Sequence, residues 1–461
     1  MREIEFTARC TAAVAAMRQL APLRMEGQVS GVAGLAVDVA GLSHHVSVGD
    51  RVTLQGRNGT NVPAEIVGFR GGMAQAMVYG PATGLGPGAR VLAAPGGTGA
   101  QLAVADAWIG RVLDPLGRPL DGRGPLPPGK QPVALHAAPP NAMLRTRLGP
   151  RLDLGVRVLN AFTTCRQGQR LGLFAGSGVG KSTLLAMLAR HTACDVAVLA
   201  LVGERGREVR EFIEDDLGPG GLSRAVVVVA TSDSPPLLRR EAAYAAMAIA
   251  EHFRDAGRNV LLLMDSVTRF CTALREIGLA AGEPPTTRGY PASVFAELPR
   301  LLERAGPGLE GPHAGYITGL FTVLVEGDDQ NEPVADAVRG ILDGHVILDR
   351  RIAESGRYPA VDVLRSLSRT VPGCNNDAEN ALSRRARGIL ALYADVADLV
   401  RLGAWRAGND PAADEAIALA PRIEAMLRQS RDEAATLTAS FRQLQAAMSP
   451  PASGGSPRSG R

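Results

Sequence analysis

Only two of the chain's 50 basic side chains are lysines, Lys130 and Lys181, and the second closes a run of small residues: Ala175, Gly176, Ser177, Gly178, Val179, Gly180, Lys181 and Ser182. In a chain that otherwise uses arginine, a lysine here suits phosphate chemistry. Small residues let backbone N–H groups turn inward around a β-phosphate, and a slim ammonium reaches the β and γ oxygens where a guanidinium fork would crowd. The Ser182 hydroxyl, with Thr183 behind it, is of the type that serves Mg²⁺. Arg170–Phe174 before the run reads as a short strand and Thr183–Arg190 after it as an opening helix. The loop would then sit at a helix N-terminus, whose partial positive charge favours an anion. A glycine-rich turn with a chance lysine is the bland alternative, and it would not need this strand–loop–helix order. Ala175 departs from the glycine usual at the first position.

Two acidic residues follow apolar runs further on. Val260–Met264 ends in Asp265, and a carboxylate at the carboxyl end of a buried strand is placed to hold Mg²⁺ directly or through water. Phosphoryl transfer to water also needs a group that orients and polarises the attacking molecule. Glu204 comes just after the run Val196–Leu201 and would project from the same sheet edge as the phosphates. Arg205 beside it is placed to touch a γ-phosphate. Without the glycine loop, Val202–Arg207 would read as a solvated loop of mixed charge.

The elements that must position these groups follow from length and pattern. A chain of 461 residues holds two or three domains and can bury full cores. A net charge of +4 is too small to argue for nucleic acid. Five scattered cysteines and seven histidines lack metal-ligand spacing, which fits reduced thiols in the cytoplasm. No apolar run approaches the ~18 residues of a membrane span. The first residues, with acidic side chains and no apolar block, do not read as a secretory signal.

Residues 1–26 show helical apolar spacing at Phe6, Cys10, Ala13, Val14, Met17 and Leu20, a short amphipathic helix suited equally to its own domain or to a partner surface. Residues 27–95 change to short β-type runs, Val29–Val39, Arg51–Gly56, Glu65–Phe69 and Ala74–Tyr79, with a hairpin signal at Asn58–Gly59; the pattern predicts a small β-barrel. Residues 96–375 alternate apolar strands (Val196–Leu201, Ala225–Ala230, Val260–Met264, Leu320–Val325) with helices such as Glu241–Ala256, the pattern of a mostly parallel α/β sheet. Residues 376–448 read as helical, with segments Ala378–Leu402, Pro411–Arg428 (capped by Asp410 and interrupted at Pro421) and Arg431–Met448. Residues 449–461, rich in Pro, Gly and Ser, are expected to be disordered.

Taken together, Phe174–Thr183, Gly203–Val209, Met264–Arg269 and Gly282–Pro291 resemble the type III protein-export ATPases, relatives of the catalytic subunit of rotary ATP synthases. Gly110–Gly122 and Tyr358–Asp362 match the same superfamily, and the likeness runs in order from about residue 27 to 430. The resemblance implies an N-terminal β-barrel, a RecA-like P-loop ATPase domain and a helical C-terminal domain. It implies ATP and Mg²⁺, with Lys181 and Ser182 on the phosphates and metal, Asp265 helping to hold the metal, and Glu204 as catalytic base. Tyr358 matches the residue that stacks on adenine, and Arg369, in Ser366–Thr370, matches an arginine finger that reaches the neighbouring subunit's γ-phosphate. A shared site implies a ring, a homohexamer in this family. Non-catalytic ring subunits of rotary complexes lack the base, whereas this chain has Glu204, so it reads as active.

The run Glu326–Pro333 and the glycine loop resemble the flagellar version more than the virulence-injectisome version. The family further implies a stator-like regulator at the N-terminal helix, a central stalk protein near Gly282–Pro291, export substrates and chaperones at the C-terminal helices, and a cytoplasmic position at an inner-membrane export gate. An RNA-driven helicase related to the transcription terminator is the distant alternative. It would need an aromatic, basic platform between Gly27 and Ala94, where only Phe69 and Tyr79 are aromatic and no lysine occurs.

Overall fold

The computed structural model describes residues 25–57, 59–94, 99–325 and 332–449. The expected N-terminal helix up to residue 24, Asn58 of the hairpin signal, residues 95–98, residues 326–331 of the acidic run and the tail from 450 lie outside them. Among the described residues no helix is long and apolar enough to cross a membrane.

The first unit is built on six strands: β1 (Met25–Ala33), β2 (Ala36–Ala40), β3 (Arg51–Gln55), β4 (Asn61–Arg70), β5 (Met73–Val78) and β6 (Arg90–Ala93). They close into a barrel in the order β1-β2-β5-β4-β3-β6. Alternation makes it possible: Val52, Leu54, Val62, Ala64 and Ile66 turn inward while Arg51, Thr53 and Pro63 do not. The run Val29–Val39, expected as one strand, is two, because Ala33 pairs with Ala36 across Gly34–Leu35 and Gly34 takes φ +59°, a left-handed angle that suits glycine. The closing strand β6 had too short an apolar run to be read from the sequence.

The second unit carries a nine-stranded sheet. Its strands are β7 (Val112–Leu113), β8 (Arg170–Ala175), β9 (Val196–Glu204), β10 (Ala225–Thr231), β11 (Asn259–Asp265), β12 (Tyr316–Leu324), β13 (Gly344–Leu348) and β14 (Val361–Ser368), with the short strand Gly306–Pro307 beside β12. The order is β14-β13-β8-β12-β11-β9-β10-β7. All neighbours are parallel except β14 on β13 and Gly306–Pro307 on β12. Continuous apolar runs such as Ala225–Ala230 are buried on both faces, as a parallel sheet between helices requires. The main helices are α1 (Lys181–His191), α2 (Gly206–Glu211), α3 (Pro236–Asp255), α4 (Val267–Ala280), α5 (Ala292–Leu302), α6 (Pro333–Ile341), α7 (Asp377–Arg401), α8 (Pro411–Leu427) and α9 (Leu437–Met448).

Helices α7 to α9 share one apolar core with the sheet: Ala386, Leu390, Ile423 and Leu444 cluster with Leu159, Leu184 and Val361. Pro421 does not interrupt α8, contrary to expectation. It forfeits one backbone bond, but Ala416, Ala420 and Ile423 around it are fully buried and hold the helix. The third helix begins at Leu437, six residues later than expected. Residues before it spend their backbone groups elsewhere: Gln429 N–H donates to the Tyr358 carbonyl at 2.9 Å and Ala435 N–H to the Gly155 carbonyl at 3.0 Å.

Candidate active site

Strand β8 ends at Ala175, the glycine loop follows, and α1 begins at Lys181. Ala175 is extended and its carbonyl accepts from Val325 N–H at 3.1 Å, so this position makes no demand for glycine. Gly180 does: it takes φ +87°, and a Cβ there would lie 3.1 Å from the Tyr358 ring. The structure therefore sets Tyr358, half exposed, against the glycine loop. Val179 is buried in the core, while Ser177, Gly178 and Ser182 are exposed. The loop is anchored by the Val179 side chain and open at Ser177, Gly178 and Ser182.

Glu204 is the last residue of β9 and Asp265 the last of β11, so both carboxylates leave the same edge of the sheet as the loop. They meet at Lys181, whose Nζ donates to Asp265 Oδ1 at 2.5 Å and to Glu204 Oε1 at 3.2 Å. The three side chains keep 11%, 7% and 16% of their surface for Lys181, Asp265 and Glu204. Burial works against the ammonium, yet Asp265 and Glu204 outweigh it and raise the Lys181 pKa above its ordinary value. Burial, then the Asp265 charge, raises the Glu204 pKa, with Lys181 and Arg269 pulling the other way. A carboxylate whose basicity is raised is the better proton acceptor.

The buried Thr322 hydroxyl on β12 donates to Asp265 Oδ1 at 2.6 Å, so two donors converge on one oxygen. Among the described residues, no protein group bonds Oδ2 or the Ser182 hydroxyl. Two such oxygens beside a phosphate cradle are the donor set a hard divalent cation takes.

Sequence reasoning missed Thr322 and Arg269. The Arg269 stem lies across Gly203, where a Cβ would meet it at 2.9 Å, and its charge bears on Glu204. Its position in Met264–Arg269 was a usable signal; a threonine in mid-strand gave none. Arg205 is not brought to the loop. It stands at the N-cap position of α2, and its side chain is 81% exposed and pairs with Glu208 at 3.2 Å. Arg369 also stays away. It follows β14, and its N–H donates to the carbonyl of Asp343, whose own N–H donates to the Arg170 carbonyl. That places it at the start of β8, while the glycine loop is at the end. The six residues of β8 span roughly 20 Å at about 3.3 Å each.

A phosphate cradle, a paired lysine and two strand-end carboxylates on a mostly parallel sheet, joined to a six-stranded barrel, define a P-loop nucleotide hydrolase of rotary-ATPase build. Family models agree: "ATP synthase alpha/beta family, nucleotide-binding domain" matches residues 155–368, "ATP synthase alpha/beta family, beta-barrel domain" residues 29–94, and "T3SS EscN ATPase C-terminal domain" residues 376–446. The chain belongs to the type III export ATPase family, the flagellum-specific ATP synthases and their secretion-system counterparts. It is 55% identical to the flagellum-specific ATP synthase of Caulobacter vibrioides over 94% of this chain and 97% of that one. It is 47% identical to the Salmonella typhimurium flagellum-specific ATP synthase, covering 93% and 95%, and 49% identical to the type 3 secretion system ATPase of Xanthomonas euvesicatoria, covering 90% and 93%. The assembled ATPase EscN of the enteropathogenic E. coli type III secretion system superposes with a TM-score of 0.84 at 37% identity, over 92% of this chain and 100% of that one. EscN has also been solved with its central stalk EscO.

Proposed function

We propose that this chain is the Mg²⁺-dependent ATPase that powers protein export to the bacterial flagellum, working as a homohexameric ring. The carrying observation is the Lys181 ammonium held between Glu204 and Asp265 at the mouth of the glycine loop. In this reading, loop N–H groups and Lys181 bind the β- and γ-phosphates, and Ser182 and Asp265 hold Mg²⁺, which neutralises phosphate charge. Glu204 takes the proton of the attacking water, and Tyr358 stacks on adenine. Arg369, at the far end of β8 from its own loop, reaches the neighbouring subunit's γ-phosphate. Arg205, exposed and paired outside, has no role within its own subunit's site; in a ring it faces a neighbour or solvent.

The flagellar assignment rests on relatives named flagellum-specific ATP synthase at 45–55% identity. The Xanthomonas secretion-system match falls inside that range and supports an injectisome role as the second reading. By analogy with the EscN–EscO complex, a central stalk protein binds the ring. The family resemblance adds export clients and chaperones at α7 to α9 and a stator-like regulator at the N-terminal segment. The ring works in the cytoplasm at an inner-membrane export gate.

The test is phosphate release from purified protein with Mg²⁺ and ATP, wild type against Glu204→Gln. The variant should bind nucleotide as before and lose about 10²-fold or more in kcat, the scale of general-base catalysis. Unchanged turnover would remove Glu204 as the base. Restoration of filament assembly in a flagellar-ATPase deletion strain separates the flagellar reading from the injectisome one.

A further inference from the structure

Gln169 stands immediately before β8 and is fully buried. All four hydrogen-bonding positions of its amide are used. Its NH₂ donates to Ser368 Oγ at 2.9 Å and to the Asp343 carbonyl at 3.2 Å. Its oxygen accepts from Arg166 N–H at 3.0 Å and from the Thr370 hydroxyl at 3.0 Å. Ser368 and Thr370 flank Arg369, and Arg369 N–H donates to the same Asp343 carbonyl at 2.9 Å. The Ser368 hydroxyl passes on to the Thr164 carbonyl at 2.9 Å. The Arg369 side chain, in contrast, is exposed and makes no hydrogen bond among the described residues. With no side-chain partner among them, its placement begins from the position of its backbone, which this buried amide holds through the Ser368 and Thr370 hydroxyls and the shared Asp343 carbonyl.

We propose that Gln169 is the positioning residue for Arg369, fixing the Ser368–Thr370 backbone so that the guanidinium is aimed at the neighbouring subunit's phosphate site. This rests on the shared-site reading above. A buried amide with every position satisfied gives up several bonds at once when replaced, and its partners then lose their common reference. Gln169 touches no nucleotide in its own subunit, because the glycine loop is at the opposite end of β8.

The experiment mixes impaired chains. Gln169→Ala should lower kcat about 10- to 100-fold with the ATP KM little changed, since a misplacement of ~1 Å can cost ~10²-fold. Its loss should fall on the interface where it gives the finger. Rings mixed with Lys181→Ala chains should recover activity, because the Lys181→Ala chain supplies an intact finger to an intact loop. Rings mixed with Arg369→Ala chains should not recover, because both chains fail in the same role. Recovery with Arg369→Ala, or none with Lys181→Ala, overturns the role of Gln169, provided that Arg369→Ala and Lys181→Ala chains rescue one another. If those two fail to rescue in demonstrably mixed rings, the shared site falls and this role with it. Should Gln169→Ala not fold, Thr370→Val takes its place in the same mixtures, and Thr370→Ser should restore turnover by restoring the hydroxyl. Equal turnover of Thr370→Val and Thr370→Ser would also overturn the proposal.

Discussion

Lys181 keeps its charge in a place where burial opposes it, and it does so only because two carboxylates face it. The same balance is met elsewhere by Glu241, fully buried on α3. Its Oε1 accepts from Arg240 at 2.6 Å and lies 2.9 Å from His136 Nε2. Burial alone would raise its pKa; Arg240 and His136 prevail and hold it at about 2. A folded-state value below the unfolded one means that the stabilisation is complete above the ordinary glutamate range and is lost as pH falls toward 2. Glu241→Gln should therefore cost on the order of 1–3 kcal/mol at pH 7 and flatten the loss of stability on acidification between pH 4.5 and 2. Urea midpoints across that range test it, and parallel acid profiles for the two proteins would count against it. At this scale the sequence was informative where a motif existed. Lys181, Glu204 and Asp265 were named from spacing, and the structure brings them together. Arg269 had a signal in its motif that went unread, whereas Thr322 and Gln169 carried none, because their partners are assembled from segments far apart in the chain.

Elements were legible where their period was long. The parallel strands β8 to β12 and the helices α3, α7 and α8 stand within a few residues of the expected spans, because apolar runs and caps mark them. Asp410 is such a cap, accepting from Ala412 N–H at 2.9 Å and Ala413 N–H at 3.3 Å. Asp410→Ala should cost about 1 kcal/mol, read as a lowered urea midpoint, while Asp410→Asn should cost far less. Strands β6, β13 and β14 were not legible: each is short or carries exposed polar residues, and each is defined by its neighbour. The delayed start of α9 has the same origin, since Gln429 and Ala435 bond to Tyr358 and Gly155 and not along a helix.

At the scale of the whole molecule, the separation of Arg369 from its own loop means that, on the shared-site proposal, activity is a property of neighbouring copies. Phosphate released per milligram should rise with protein concentration until assembly saturates, and Arg369→Ala should stay low throughout. Sedimentation run at the same concentrations would show whether the rise follows association; full activity in a monomer would end the shared-site reading. The closed barrel bears on a different matter. On the proposed export function, the protein works beside extended client polypeptide whose backbone groups are unpaired. Because β1 pairs with β6 and the ring of six strands has no open ladder, such a chain finds no backbone template there to zip onto. On that proposal, closing the six strands on themselves keeps the barrel from trapping cargo by strand addition.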